Sequence, residues 1–275
     1  MEIIITTLEH GKPLGEVLKA RGISRRLVTK LKRTPNGITC KGKIIRTIDN
    51  VSFGDKIILS EGDGEPLEPN GNLDVKILYE DNDLIVLNKP PFMPCHPSIS
   101  HRTDTLGNFF AYHCKGMTFR PVNRLDRDTS GCVIAAKNQH SAHFLQNCCE
   151  KKYYGLAKDI PFSGGRIFAP IARQTKSIII RCIRNDGQPA ATDYHVIDQK
   201  DGIALIEFIL ETGRTHQIRV HMAHIGFPLI GDGMYGGDCQ KLKSQALHCG
   251  EITFVQPSTL KKITVKSDIP KEWGF

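Results

Sequence analysis

The chain has 275 residues, 40% of them hydrophobic, and a formal charge of +8, which is enough apolar content for a packed core and excludes a disordered chain. No apolar run reaches the roughly 18–20 residues that span a bilayer, and nine cysteines without CxxC spacing, preceded by no secretory leader, fit reduced thiols in a cytoplasmic protein. The charge is uneven: residues 1–60 carry twelve Lys and Arg against five acids, so a polyanion is the expected partner of this segment, the alternative being a solvated face that only aids solubility.

In chain order, Pro13 to Arg21 places Leu14, Val17 and Leu18 on one helical face. Ser24 is the expected N-cap of a second helix, Arg25 to Arg33, with Leu27, Val28 and Leu31 inward and Arg25, Arg26, Lys30, Lys32 and Arg33 largely outward, as cations for a polyanion. Pro35-Asn36-Gly37 marks a turn. Ile38-Thr39-Cys40 and Lys43-Ile44-Ile45 flank Lys41-Gly42 as a hairpin, and Lys56-Ile57-Ile58-Leu59 follows Gly54-Asp55 as a strand. This order of helix, basic helix, hairpin and Gly-Asp-led strand resembles the S4 RNA-binding domain. A small α+β fold with idle charges is the alternative.

Residues 61–72 are dense in Gly, Pro and acid and read as a linker. Beyond them, Leu84–Leu87, Cys132–Ala136, Ser177–Ile180 and Ala204–Ile209 are the clearest strands, with few helices between them. That pattern predicts an α+β fold around a mainly antiparallel or mixed central sheet, with a catalytic cleft across it, in residues 73–275, and a small α+β unit in residues 1–60.

Two segments carry chemistry. Asn123-Arg124-Leu125-Asp126-Arg127-Asp128-Thr129-Ser130-Gly131 puts carboxylates in a loop at the mouth of the apolar strand that follows. Asp126 lies between Arg124 and Arg127, cations that would keep a nucleophilic carboxylate ionised. The same spacing also fits a plain turn with capping acids and paired arginines. In Gly213-Arg214-Thr215-His216-Gln217-Ile218-Arg219-Val220-His221-Met222-Ala223-His224-Ile225-Gly226, Thr215 is the expected N-cap. Ile218, Met222 and Ile225 form the inward stripe, and Gly226 is the stop. His221 and His224 have no Cys or carboxylate at ligand-like spacing, so capping, core hydrogen bonds or phosphate contacts are expected of these histidines, and no metal.

Arg124 to Gly131 resembles the signature of the RluA family of pseudouridine synthases. The run Gly213 to His221 is similar to that family too, as is its continuation through Ile225-Gly226-Phe227-Pro228-Leu229-Ile230-Gly231-Asp232 to Tyr235-Gly236. Asn88-Lys89-Pro90-Pro91 with His96-Pro97, Lys151-Lys152-Tyr153-Tyr154 and Ala246-Leu247-His248 are smaller matches, and the resemblance spans roughly residues 73–270. It implies an RNA pseudouridine synthase that needs no cofactor. Asp126 would be the nucleophile, Tyr153 would pack against the displaced uracil, and Arg219 would pair with Asp126. Arg124 would lie beside the target, with Arg127, Arg214 and His216 as further RNA contacts. Large-subunit ribosomal RNA is the implied substrate, transfer RNA the runner-up, and a monomer the implied state. A uracil in a stack must be flipped out for such chemistry, which suits an aromatic ring and nearby cations.

Asn123 stands where the family more often has His. Of the two adjacent tyrosines, Tyr153 is preferred, two places after Lys151; on a strand the pair would face opposite sides of the sheet. Two other readings stand beside the enzyme: a noncatalytic RNA-binding or assembly factor on the same fold, and a hydrolase using Asp126 and Asp128 as a carboxylate pair. Convergence of Asp126, Tyr153 and Arg219 on one cleft is the geometric expectation.

Overall fold

The computed structural model describes residues 2–60, 67–146, 148–175, 177 and 179–275. The chain divides into two compact units, Met1–Pro66 and Leu67–Phe275.

The first unit contains β1 (Glu2–Ile4), α1 (Leu14–Ala20), α2 (Arg25–Arg33), β2 (Ile38–Cys40), β3 (Lys43–Ile44) and β4 (Lys56–Leu59). Its four strands form an antiparallel sheet in the order β1-β4-β2-β3. Lys41 and Gly42 both have positive φ, the backbone that a two-residue hairpin turn requires. Leu14, Val17 and Leu18 of α1 and Leu31 of α2 are buried with Ile3, Ile38, Ile57 and Leu59 of the sheet. The Ser24 hydroxyl accepts the Leu27 amide at 3.2 Å and starts α2. The cations Lys30, Lys32 and Arg33 fill its last turn, where they oppose the negative end of the helix dipole.

The second unit begins with β5 (Lys76–Glu80), β6 (Leu84–Lys89), α3 (Leu106–His113), β7 (Arg120–Pro121), β8 (Ser130–Ala136), α4 (Gln139–Leu145) and β9 (Cys149–Lys158). It continues with β10 (Gly164–Phe168), β11 (Ile171–Arg173), β12 (Arg181–Ile183), β13 (Ala191–Lys200), β14 (Ile203–Leu210), α5 (Gln217–His224), β15 (Leu247–Val255) and β16 (Lys262–Lys266). Ten of these strands form one sheet, β10-β13-β14-β9-β15-β8-β6-β5, with β16 beside β15 and β7 beside β8. Its described ladders are antiparallel except β8–β15, so the sheet is mixed, as the sequence leads one to expect. β8 is buried along its whole length, which explains its unbroken apolar run Cys132–Ala136.

Residues 61–66 of the expected linker lie outside the described residues. Next in the chain, Leu67 packs against the core of the second unit, and the Asn70 amide donates to the carbonyl of Asn108 at 3.0 Å. Of the strand expected at Ser177–Ile180, Ile178 lies outside the described residues and Ser177, Ile179 and Ile180 are not in a strand; the small β11–β12 ladder pairs Ile171–Arg173 with Arg181–Ile183. A β-branched run becomes a strand only where a partner edge meets it, and here the edge lies one step further along. Among the described residues, no helix is long and apolar enough to cross a membrane.

Candidate active site

The Asp126 loop is held by the strand behind it. Gly131, the second residue of β8, has φ 108°, and a Cβ there would collide with the backbone of Cys249. Only glycine lets β8 approach β15 this closely at the start of their parallel ladder. The buried Asn123 amide donates to the Cys132 carbonyl at 3.1 Å and accepts the Ile134 amide at 2.9 Å. It continues, with a side chain, the pairing that β7 begins on the β8 edge. That is the role of the asparagine standing where histidine is more usual. Ser130 and His248 bond across the same ladder, Oγ to Nδ1 at 2.8 Å.

A further residue, which sequence reasoning missed, completes this support. Lys89, at the end of β6, is fully buried, and its ammonium donates to the carbonyls of Pro90, Met93 and Arg127, each at 2.8 Å. Burial pulls its pKa down to about 8. The third bond pins the backbone just after Asp126. Its place at the end of an apolar run, within the Asn88-Lys89-Pro90-Pro91 match, marked the position but not this role.

Neither flanking arginine pairs with Asp126. Arg127 turns to Asp128, Nε to Oδ1 at 2.7 Å and Nη2 to Oδ2 at 3.1 Å, and Arg124 is exposed at the cleft rim. The turn, closed by the Thr129 amide on the Asp126 carbonyl at 3.2 Å, sends neighbouring side chains apart. Asp126 finds its cation ninety-three positions away: Arg219 Nη1 donates to Asp126 Oδ2 at 3.1 Å. The two carboxylates of the loop thus have separate partners, which does not suit a shared-proton pair.

Arg219 sits in α5, whose Ile218 and Met222 are buried beneath it. His216, not Thr215, is the N-cap residue of this helix, with no capping bond from its side chain. The neighbouring Gln217 anchors the helix start to its surroundings: its Oε1 accepts from Thr212 Oγ1 and the Arg214 amide, and its Nε2 donates to the Ala191 carbonyl and Thr192 Oγ1. Gly226 takes φ 88° just past the end, as the stop requires. Arg219 is clamped from behind by Asp232, Nε to Oδ2 at 2.7 Å and Nη2 to Oδ1 at 2.8 Å, a fork between side chains only 6% and 1% exposed. The Tyr235 ring lies 5.0 Å from its guanidinium carbon. Burial opposes the charge on Arg219, but Asp232 and Asp126 together raise its pKa above the usual arginine value.

Asp126, Arg124, Arg127, Tyr153, Arg214 and His216 all line one cleft of about 950 Å³. Tyr153 is buried against the main core on the cleft side of β9, whereas Tyr154 packs with a separate cluster around Leu156 and Ile230. Alternation along the strand separates the two rings, as expected. Burial, with Cys249 and Asp126 beside it, pushes the Tyr153 hydroxyl well above the usual phenol range, so it faces the cleft as a neutral phenol. Arg25, Arg26, Lys30 and Arg33 line a hollow of about 630 Å³ on the first unit, while Lys32 lines a different groove with Ile38 and Ile44.

Of the histidines considered as ligands, His221 spends both nitrogens inside the core, on Thr192 Oγ1 at 2.9 Å and the Ala169 carbonyl at 3.0 Å. Glu80, His113 and Cys114 are the one group with ligand-like spacing among the described residues. It lies outside the cleft, with Glu80 already bonded to Lys137 at 2.7 Å and His113 at 2.8 Å.

Comparison with known proteins agrees with this geometry. Residues 83–224 match a family model described as RNA pseudouridylate synthase. The uncharacterized RNA pseudouridine synthase YhcT of Bacillus subtilis is 34% identical over 99% of this chain and 94% of its own length. The ribosomal large subunit pseudouridine synthase D of Buchnera aphidicola is 33% identical over 86% of this chain and 84% of its own. The solved structure of human RNA pseudouridylate synthase domain containing 1 superposes with a TM-score of 0.61 at 27% identity, covering 74% of this chain and 86% of that one. With a relative this similar along almost every residue, and the family's motifs gathered at one cleft, the chain belongs to the RNA pseudouridylate synthases of the RluA type, isomerases that modify RNA.

Proposed function

We propose that the chain converts specific uridines of large-subunit ribosomal RNA to pseudouridine, with Asp126 as nucleophile. The observation that carries this is the Asp126 carboxylate held at 3.1 Å by Arg219 in a cleft that Tyr153 also lines. In the reaction the C1′–N1 bond breaks, the uracil turns, and C1′ bonds to C5. The proton leaves C5 and N1 gains one, so the base keeps its composition and no group donor is consumed. Asp126 supplies the nucleophile and Arg219 keeps its carboxylate aimed. The Tyr153 ring packs against the flipped base. As a buried phenol it is poorly suited to take the C5 proton itself.

Arg124 at the rim is placed to fill the gap that the flipped base leaves, and Arg127 and Arg214 to meet the backbone around it, while the nearly buried His216 turns to Tyr235 and Asp126 instead. Residues 1–60 act as an S4-like grip through Arg25, Arg26, Lys30, Lys32 and Arg33. The catalytic domain is the second unit, which takes in residues 67–72 of the expected linker and so begins at Leu67 and not at residue 73. The names of the synthase D relatives favour ribosomal RNA as the target.

The test is to map pseudouridine in ribosomal and transfer RNA from cells with the protein, without it, and with Asp126→Asn. Loss of the same large-subunit sites in the last two is expected. Because Arg219 retains Asp232, the variant should fold normally. Full modification by Asp126→Asn would overturn the nucleophile assignment, and loss confined to transfer RNA would overturn the substrate.

A further inference from the structure

Asp126 has a second neighbour to which the isomerisation gives no part. His216 stands at the head of α5 with φ 57° and ψ 21°. A non-glycine residue in this left-handed region costs of order 1 kcal/mol and persists only where its surroundings dictate it. Its imidazole, 9% exposed, is engaged on both sides. Nδ1 lies 2.7 Å from the Tyr235 hydroxyl, and Nε2 lies 3.8 Å from Asp126 Oδ2, the oxygen that Arg219 holds. The Tyr235 hydroxyl in turn accepts the backbone N–H of Arg181 at 3.0 Å, on the β12 strand of the small β11–β12 ladder.

Hydrogen accounting fixes the tautomer. The Tyr235 oxygen already receives the Arg181 N–H, so its own proton needs an acceptor, and Nδ1 is within reach. That accounting assigns the ring proton to Nε2, which faces Asp126 at 3.8 Å, beyond hydrogen-bond length. The charged and titratable groups around the ring are Asp126 from the turn before β8, Arg219 from α5, Asp232 and Tyr235 from the segment after α5, and Arg181 from β12. Burial first, with Arg219 and Arg181, outweighs the two acids and holds the imidazole below its usual pKa.

We propose that His216 is a positioning residue for Asp126: its Nε2–H offers a second donor to the oxygen held by Arg219, and the Arg181 amide, acting through the Tyr235 hydroxyl, fixes the ring that offers it. At 3.8 Å the donor steers the carboxylate without tying it up. The β11–β12 ladder is thereby linked, through Tyr235 and the ring, to the Asp126 oxygen that Arg219 holds. The proposal rests on the reading of Asp126 as nucleophile.

Single-turnover isomerisation by the full chain over about pH 5 to 9 tests it. Wild type should lose rate on the acid side, because a second proton, on Nδ1, displaces the Tyr235 hydroxyl bond that fixes the ring. His216→Gln keeps an N–H donor but cannot titrate, and should lose that acid limb. Tyr235→Phe removes the donor to Nδ1 and so destabilises the neutral ring. It should move the limb to higher pH and lower the plateau up to about tenfold, the worth of one hydrogen bond. Coincident profiles for the three proteins would overturn the proposal. Asp126→Asn, run alongside, separates the two claims: turnover by that variant defeats the nucleophile itself, whereas a dead variant with coincident profiles defeats only the role of His216. Should a variant fail to fold, nitrogen NMR of histidine-labelled wild type still decides. A neutral Nε2–H ring is expected at neutral pH, and an Nδ1–H ring would refute the assignment.

Discussion

Replacing Asp232 by Asn isolates the clamp behind Arg219. The fork of 2.7 and 2.8 Å bonds joins two side chains that are almost wholly buried. Asn keeps the shape and one acceptor but turns an N–H₂ group against a guanidinium N–H, leaving a buried cation with Asp126 as its remaining carboxylate partner. Removing one member of a buried pair costs about 3–5 kcal/mol, and the retained bond to Asp126 puts this case at about 3. Trp273, the only tryptophan, packs with the Leu156–Ile230 cluster of the second unit. Its fluorescence during urea unfolding therefore reports this unit and not the first. Arg219, freed from behind, would swing further onto Asp126, so kcat should fall at least about tenfold with KM little changed, the mark of lost transition-state positioning. A stability change under about 0.5 kcal/mol, the range of an ordinary surface substitution, together with an unchanged kcat, would refute the view that Asp232 sets the aim of Arg219.

Gly131→Ala should cost about 2–6 kcal/mol, from backbone strain at φ 108° and overlap with the Cys249 backbone, and urea unfolding read by Trp273 measures it. His248, buried between Ser130 and the Ser267 carbonyl, is pushed down to about 4 by desolvation. The unfolded imidazole protonates near 6.5, so only the unfolded chain gains this proton between the two values. The second unit should lose about 3 kcal/mol as pH falls from about 6.5 to about 4. His248→Gln should remove that slope when the same unfolding is repeated across pH. Changing Arg25, Arg26, Lys30 and Arg33 to Gln should weaken RNA binding and make the plot of log affinity against log salt shallower, by about 0.7–0.9 for each phosphate no longer neutralised; an unchanged slope would show that α2 is no grip.

The features legible in the sequence were those written locally. The stripe Leu14, Val17 and Leu18, the Ser24 cap, the Lys41-Gly42 turn and the apolar run of β8 each announce themselves within a few residues, and each stands where expected. The Asp126–Arg219 bond was legible only through the family resemblance, because no periodicity links positions so far apart. Local adjacency misled where it stood in for geometry: Arg127 beside Asp126 in sequence pairs with Asp128 instead. Thr215 has the right chemistry for a cap, but the N-cap falls one residue later, at His216, and Gln217 ties the first turn of the helix to the preceding loop and to β13. Asp232 and Lys89 lay within the family's motifs, yet nothing along the chain pointed to what either does. A buried ion pair and a buried ammonium are defined by what folds over them, and that is invisible in one dimension.

The order of strands in the large sheet has a consequence for synthesis. β15 lies between β8 and β9 and is drawn from the last thirty residues. Asp126 leads into β8 on one side of it, while Tyr153 on β9 and Arg219 after β14 belong to the other. A nascent chain that has not yet emerged past Val255 holds these groups on two half-sheets with no shared edge. Asp126 therefore meets the Arg219 guanidinium only once β15 has joined the two halves, so a chain cut before Leu247 has no edge to bring them together.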